Sequence, residues 1–434
     1  MTPALKNTGL FAVLGILIVI TGQMQSWNVA LAIVNMGLIS AIMSVGVNMQ
    51  WGYAGLINFG VMGFVALGGL AGVLVAMPPV QAAWAAGGGM IWLAMAIGAA
   101  VIGGAITLWQ RMAAGYARSV AVIALLLVGF VLYRTILDPA VDAVEAVDPA
   151  ATGYLGGLGL PILLAWPVGG ALAAGAAWII GKTALGLRSD YLAIATLGIS
   201  EIIIAILKNE DWLARGVKNV IGLPRPVPYE IDLQNDPSFV DRMQGWGYDP
   251  VTASSITVKL SYMALFAVVL VIILVLAQLA LKSPWGRMMR AIRDNEVAAE
   301  AMGKDVKKRH LQIFILGSAV CGIAGAMMTT LEGQLTPGTY QPLRFTFLVW
   351  VMVIVGGSGN NFGAILGGFL IWFLWVQVEP VGFWLMQTLT SGMSEDYWLR
   401  LHLLEASAHM RLLTMGIVLL LVLRFSPRGL IPEQ

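Results

Sequence analysis

The chain is poor in the residues that do chemistry and poor in charge. It has one cysteine, Cys321, and three histidines in 434 residues, and only 11% of its positions are charged. A single cysteine excludes an internal disulfide and an all-cysteine metal site. Lying inside an apolar run, Cys321 reads as a small buried hydrophobe. The net charge of +2 gives no purchase on nucleic acid, so no such partner is expected. Apolar residues take the place of the missing charge and make up 59% of the sequence. Soluble domains run at roughly 45–50% apolar and about 25% charged. A soluble fold of this length could not hide the excess beneath a polar surface. The composition therefore predicts an all-α, polytopic integral membrane bundle, with residues 1–434 forming a single transmembrane domain.

A spanning helix needs about 20 mostly apolar residues. Runs of that kind lie near 9–24, 29–48, 56–77, 88–109, 119–137, 161–181, 190–208, 259–281, 311–331, 344–357, 360–378 and 411–425. The stretches 56–77 and 344–378 are rich in glycine and read as discontinuous helices, so the expectation is 10–12 spans. Lys6 precedes the apolar run Gly9–Ile20, and no small-residue cleavage pattern follows. That favours a first membrane helix over a removed leader.

Basic loops collect on the cytoplasmic side of a membrane. The segment 282–310 carries Lys282, Arg287, Arg290, Arg293, Lys304, Lys307, Lys308 and Arg309, eight of the 25 basic residues, and is assigned to the cytoplasm. If the runs alternate, Arg111 with Arg118, Lys182 with Arg188 and Arg424 with Arg428 fall on the same side. The acidic stretch Asp138–Asp148 and the long polar loop 209–257 then fall outside. Both termini are expected in the cytoplasm, as in a multi-pass protein of a bacterial inner membrane.

No constellation for hydrolysis or redox work is present. Gly181-Lys182-Thr183 imitates the end of a phosphate-binding loop, but position 176 is alanine where that loop needs glycine. His402 and His409 are seven apart without a third ligand, and read as interfacial residues. No catalytic residue, metal or cofactor is expected in this chain. Any ATP and magnesium would be held by other subunits.

The basic loop is the most informative stretch. Read as one helix over 284–303, it places Met288, Ile292, Ala299 and Met302 on one face, with Arg290 and Asp294 paired at i,i+4 spacing. Pro284 suits its start and Gly303 its end. Such a helix can dock into a groove on a soluble partner or lie on anionic lipid, and the residues alone leave both open.

Glu296-Val297-Ala298-Ala299-Glu300-Ala301-Met302-Gly303 resembles the E-x-A-A-x-x-x-G coupling loop of ABC importer permeases, with the glutamate one place earlier than in the commoner form. Further stretches resemble the branched-chain amino acid permease family in order. They are Asn48 to Gly60, Arg188 to Gly198, Val355 to Gly363, and Pro427 to Leu430. The set resembles the LivM-type subunit. The runs at 88–137 are extra to the family pattern, and the outer loop is long.

The resemblance implies two ATP-binding subunits, a second related permease and an extracytoplasmic solute-binding protein as partners. It also assigns ATPase coupling to Arg287, Arg290, Ile292, Arg293, Glu296, Ala298, Ala299, Met302 and Gly303. The implied cargo is a branched-chain or other neutral amino acid. Urea or short amides, a secondary transporter or channel without an ATPase, and a membrane scaffold are the alternatives.

Pathway candidates are Asn48, Asn58, Gly60, Thr196, Glu201, Gly357 and Asn361. Glu201 is the one acid well inside an apolar run, which marks function by default unless Lys208 pairs with it. Arg188 and Asp190 read as a structural pair at the same helix's cytoplasmic end. Asn58-Phe-Gly60 and Asn361-Phe-Gly363 recur, and each amide needs a partner in lipid. Most of the glycines that follow read as helix packing. Tyr397, Leu401, Leu404, Ala408 and Leu412 are spaced as one outer helix face, suited to a membrane surface or a docking protein.

Overall fold

A computed structural model of the chain describes residues 3–394 and 397–433. Helices α1 (Pro3–Met24) and α2 (Trp27–Ala54) form the first hairpin. Ser26 stands between them in extended backbone and accepts a hydrogen bond from the Val29 N–H, so α2 starts capped. Gly55, at φ +70°, ends it in the left-handed region. Residues 55–60 are then non-helical, and α3 (Val61–Ala76) begins only beyond them. Sixteen residues rise about 24 Å at 1.5 Å each, short of a bilayer core of about 30 Å. The extended lead-in completes the passage.

Helices α4 (Gln81–Arg111) and α5 (Tyr116–Glu145) pair with each other, as do α6 (Ala165–Ala184) and α7 (Ser189–Asn209) less closely. A polar segment with short helices at Glu230–Asn235 and Pro237–Gly245 leads to α8 (Pro250–Lys282). The Asp249 carboxylate caps α8 through the Thr252 N–H, and Pro250 opens its first turn. Beyond it come α9 (Pro284–Asp294), α10 (Glu296–Ala301) and α11 (Val306–Glu332). The last helices are α12 (Pro342–Gly356), α13 (Asn361–Leu389) and α14 (Met410–Phe425), the last preceded by a short helix at Trp398–Ala406.

Among the described residues ten helices are long and apolar enough to cross a membrane, and α3 and α12 are shorter apolar ones. They make an all-α, multi-pass membrane protein within the expected 10–12 spans. β structure is confined, among the described residues, to a Val220–Ile221 ribbon antiparallel to Gln334–Leu335 and an isolated bridge. The ribbon ties the polar segment to the end of α11.

Three expectations change in detail. The loop expected at 209–257 is shorter, because α8 already begins at Pro250. The acidic stretch from Asp138 is still helical to Glu145, with Asp138 3.1 Å from Arg134 one turn back. The glycine-rich run 344–378 is two helices joined by the turn 357–360, while 56–77 is broken at its start as expected.

The bundle is built around α2. In its apolar window 78% of residues are buried, against 11% in α5. The α4–α5 hairpin keeps its own small core around Ile91, Ala94, Leu137 and Val144 and stands at the periphery. Close approach at the centre depends on glycine. A Cβ on Gly169 would lie 3.1 Å from both the Gly68 Cα and the Gly322 O, and one on Gly68 would meet the Gly322 backbone directly. Three helices, α3, α6 and α11, therefore touch backbone to backbone. Cys321, next to this junction, is buried and free.

Candidate functional site

The basic segment is not one helix. The Ser283 side chain caps α9 through the Gly286 N–H, and Pro284 occupies its first turn. Asn295, at φ −158° and ψ 98°, then breaks the chain, and its side chain accepts from Ala298 N–H at 3.0 Å to start α10. The break removes the single face expected over 284–303. Met289 and Ile292 are buried, whereas Met288 is half-buried and Met302 is 79% exposed. The expected Arg290–Asp294 pair is also absent: Asp294 lies 3.1 Å from the Arg293 Nε instead.

Of the nominated coupling residues, Arg287, Glu296, Ala298, Met302 and Gly303 are exposed, Arg290 and Arg293 are half-buried, and Ile292 and Ala299 are buried. The loop thus has an inner side that anchors it and an outer tip. Val297, which the sequence reading passed over, is 76% exposed at that tip, as Met302 is at its other end. Two large apolar side chains stand there among charges without cover.

Arg293 is the anchor. Its Nη1 donates to the Gly52 carbonyl at 2.5 Å and lies 2.9 Å from the Glu433 Oε2. Burial disfavours its charge, but the bonds and charges of Glu433 and Asp294 outweigh it and hold its pKa above the ordinary arginine value. Gly55 lets the stem pass, since a Cβ there would sit 3.3 Å from the Arg293 Cγ. One side chain therefore joins α9, the end of α2 and the tail.

The tail is woven into the turn between α12 and α13. The Leu430 and Ile431 N–H groups donate to the Val355 and Gly356 carbonyls, each at 2.9 Å. Gly357 has φ +121°, a conformation that L side chains rarely adopt, and its missing Cβ leaves room for the Ile431 backbone. Asn360 caps α13 through the Phe362 N–H and donates to the Pro432 O at 3.1 Å. Asn360→Ala is expected to destabilise the chain by about 1–2 kcal/mol, read as a lower melting temperature in detergent. An unchanged melting temperature would show that the cap contributes nothing.

Behind the turn the nominated asparagines meet. Asn48 donates to the Asn361 Oδ1 at 2.9 Å and accepts from the Gly359 N–H at 2.9 Å. Asn58 donates to the Gln50 Oε1 at 2.9 Å, and Gln50 in turn donates to the Phe314 O and the Ser318 Oγ. Trp350 donates to the Asn58 O at 3.0 Å, and the Phe59 N–H donates to the Thr196 Oγ1 at 3.0 Å. Gly60 lies against Thr196, where a Cβ would come 2.7 Å from its carbonyl.

Asn48, Asn58, Thr196 and Asn361 are at most 2% exposed, and their amides and hydroxyl bond to protein groups: Asn48 to Asn361 and Gly359, Asn58 to Gln50 and Gly60, and Thr196 to Phe59 and Ala193. The Asn361 Nδ2 alone among those amide nitrogens finds no partner. The network holds the broken α2–α3 connection against α7, α11, α12 and α13. Gln50 and Trp350 are parts that sequence reasoning missed. Gln50 carried the same signal as Asn58, an amide inside an apolar run.

Glu201 is elsewhere. It is exposed on the outer face of α7, opposite buried Thr196 and Ser200 and alongside exposed Ile194 and Ile202. Among the described residues it makes no ion pair, so the Lys208 pairing is not formed, nor is Arg188–Asp190. His402 and His409 belong to no group able to hold a metal among the described residues. Lys182, from the false phosphate loop, lies over the Trp178 ring at 4.2 Å.

Comparison with known proteins places this architecture. The family model described as branched-chain amino acid transport system / permease component matches residues 140–423, starting after the body of the α4–α5 hairpin. The high-affinity branched-chain amino acid transport system permease protein LivM of Escherichia coli is 30% identical over 53% of this chain and 53% of its own length. The chain thus spans about half of that relative. A probable branched-chain amino acid transport permease protein LivM of Methanocaldococcus jannaschii is 26% identical over 91% of this chain and 90% of its own. A probable LivH permease from the same archaeon is 34% identical over 25% of this chain and 34% of its own. No solved structure matches the chain. With most of its length matched by one family model, the chain belongs to the branched-chain amino acid transport system permease family.

Proposed function

We propose that this chain is one of two related permease subunits of an ABC importer for branched-chain or other neutral amino acids in a bacterial inner membrane. Its basic side, with both termini, faces the cytoplasm. A solute-binding protein delivers cargo to the opposite side. Two ATPase subunits, which hold the ATP and magnesium, cover the tip formed by α10.

The observation that carries this reading is the division of the basic loop. Its tip presents Val297 and Met302 to solvent at 76% and 79% exposure, while its stem is tied to α2 and the tail through Arg293. An exposed apolar knob rimmed by charge suits a groove on a soluble partner better than open water. Force applied at the knob reaches Gly52, Glu433 and the turn at Gly357 through one guanidinium. In this reading Asn48, Asn58, Gly60, Thr196, Gly357 and Asn361 serve the pathway as its joint, which must rearrange as access alternates. Glu201, with the exposed face of α7, lies against the second permease, because a carboxylate facing lipid is costly.

Replacing Val297 and Met302 together by aspartate is expected to abolish association with the ATPase subunits, measured by co-purification, and to stop uptake. Both side chains are exposed, so the chain itself should fold normally. Unchanged co-purification would remove this reading of the tip. Uptake of leucine into vesicles containing this chain without ATPases would instead favour a secondary transporter.

A further inference from the structure

Between α2, α3, α11, α12 and α13 lies a cavity of about 180 Å³. Five of its lining side chains are methionines: Met36, Met43, Met62, Met328 and Met352. Met43, Met62 and Met352 are at most 5% exposed and form its closed end. That end rests on the joint. The Met62 N–H lies 3.4 Å from the Thr346 Oγ1, and the Ser44 Oγ, which donates to the Ser40 O at 2.8 Å, lies 3.4 Å from the Met352 sulfur. Trp350, which holds Asn58, is next in sequence to the lining residue Val349. The other end is polar and open. There Glu332 and Thr339 are exposed, and among the described residues the Glu332 carboxylate has no ion-pair partner. The exposed Arg344 guanidinium lies outside this lining, 5.5 Å from the centre of the Phe345 ring and 5.0 Å from that of Trp375.

We infer that this cavity is a solute-binding pocket for a zwitterionic amino acid with a branched aliphatic side chain. The inference rests on the importer reading and names where the solute sits. An engineered apolar cavity of about 150 Å³ accepts benzene, so this volume takes a four-carbon side chain with room to spare. Methionine is unbranched and polarizable, and a methionine wall repacks around valine, leucine or isoleucine without a separate pocket for each. The mouth supplies what the wall lacks, the Glu332 carboxylate for the ammonium of the solute. Met62 is two residues beyond Gly60 and Val349 is next to Trp350, so a rearrangement of the Asn58–Gln50 network shifts the floor. The larger groove of about 640 Å³ between α4 and α5 is no rival. It is lined by Met95, Val101, Ile102, Leu126, Phe130 and other apolar residues and holds no charged group to read a zwitterion.

The test uses the full chain in lipid nanodiscs with Cys321 replaced by serine and Thr339 by cysteine, leaving one exposed thiol at the mouth. Millimolar leucine is expected to slow its reaction with a maleimide roughly threefold or more, the occupancy effect of a ligand above its dissociation constant. Lysine at the same concentration should not. Met43→Trp, which fills the floor, and Glu332→Gln, an exposed change that leaves packing alone, should each remove the protection. Leucine protection that survives both substitutions, or no protection at all, overturns the pocket. Uptake by the complete importer separates the two readings. Normal ATP-driven leucine uptake without protection sinks the pocket and leaves the importer standing, whereas protection without uptake sinks the importer alone.

Discussion

Arg293→Ala is expected to leave the ATPase subunits bound and hydrolysing ATP, yet to cut leucine uptake by about tenfold or more. Arg293 does not belong to the exposed tip, so a partner's grip on Val297 and Met302 survives its loss. What disappears is the link from α9 to the Gly52 carbonyl and to Glu433. A hydrogen bond to a charged group contributes about 1.5–3 kcal/mol net. The lower part of that range applies here, because the two side chains remain 25% and 31% exposed. About 1.4 kcal/mol already shifts an equilibrium tenfold, which sets the expected loss of coupling. Lysine at this position should rescue only part of it, since it brings the charge without the planar fork that serves Gly52, Glu433 and Asp294 together. Uptake and ATP hydrolysis in proteoliposomes measure both halves. A proportional fall in uptake and hydrolysis would mean that Arg293 supports folding or docking and not transmission.

The second large effect is structural. Gly322→Val should leave little monodisperse protein after extraction, because the added atoms meet the Gly169 backbone and Ala173. Overpacking a core typically costs about 1–3 kcal/mol, and more where the obstacle cannot change rotamer. Backbone cannot. Gly175→Ala on the same helix as Gly169 is the contrast, as nothing lies within 4 Å of its added Cβ. That variant should behave as wild type in size-exclusion chromatography. Similar behaviour of the two variants would show that the glycines at the α3–α6–α11 junction are not the reason those helices approach so closely.

Much of the membrane fold was legible because lipid imposes it. Each of the twelve apolar runs became a helix, ten of them long enough to cross a membrane, and the shortfall in α3 was visible as glycine-rich sequence around 56–77. The break at Asn295 was not read, because the apolar spacing across 284–303 fits one helix as well as two. Its signal was local: Asp294-Asn295-Glu296 puts a capping residue and two acids in mid-run, where a helix restart uses them. The choice between Met288 and Met289 as the buried one likewise follows only once the break is known.

Long-range pairing escaped sequence reading for a different reason. Asn48 and Asn361 are 313 residues apart, and the two stretches declare that each amide needs a partner without saying which. The Glu433–Arg293 contact is of the same kind, 140 residues apart. Glu201 was singled out as an acid in an apolar run. Its orientation, away from the chain's own core, depends on which face of α7 meets α3, and Gly60 and Gly63 settle that only in three dimensions.

In the proposed importer an ATPase covers the tip of α10. Val297→Cys in a Cys321→Ser chain carries one exposed thiol, at that tip. In the assembled importer a short bifunctional thiol–amine reagent is predicted to join it to an ATPase subunit, and the joined complex should no longer transport. Failure to form that adduct in importers that still take up leucine at the normal rate would contradict the account.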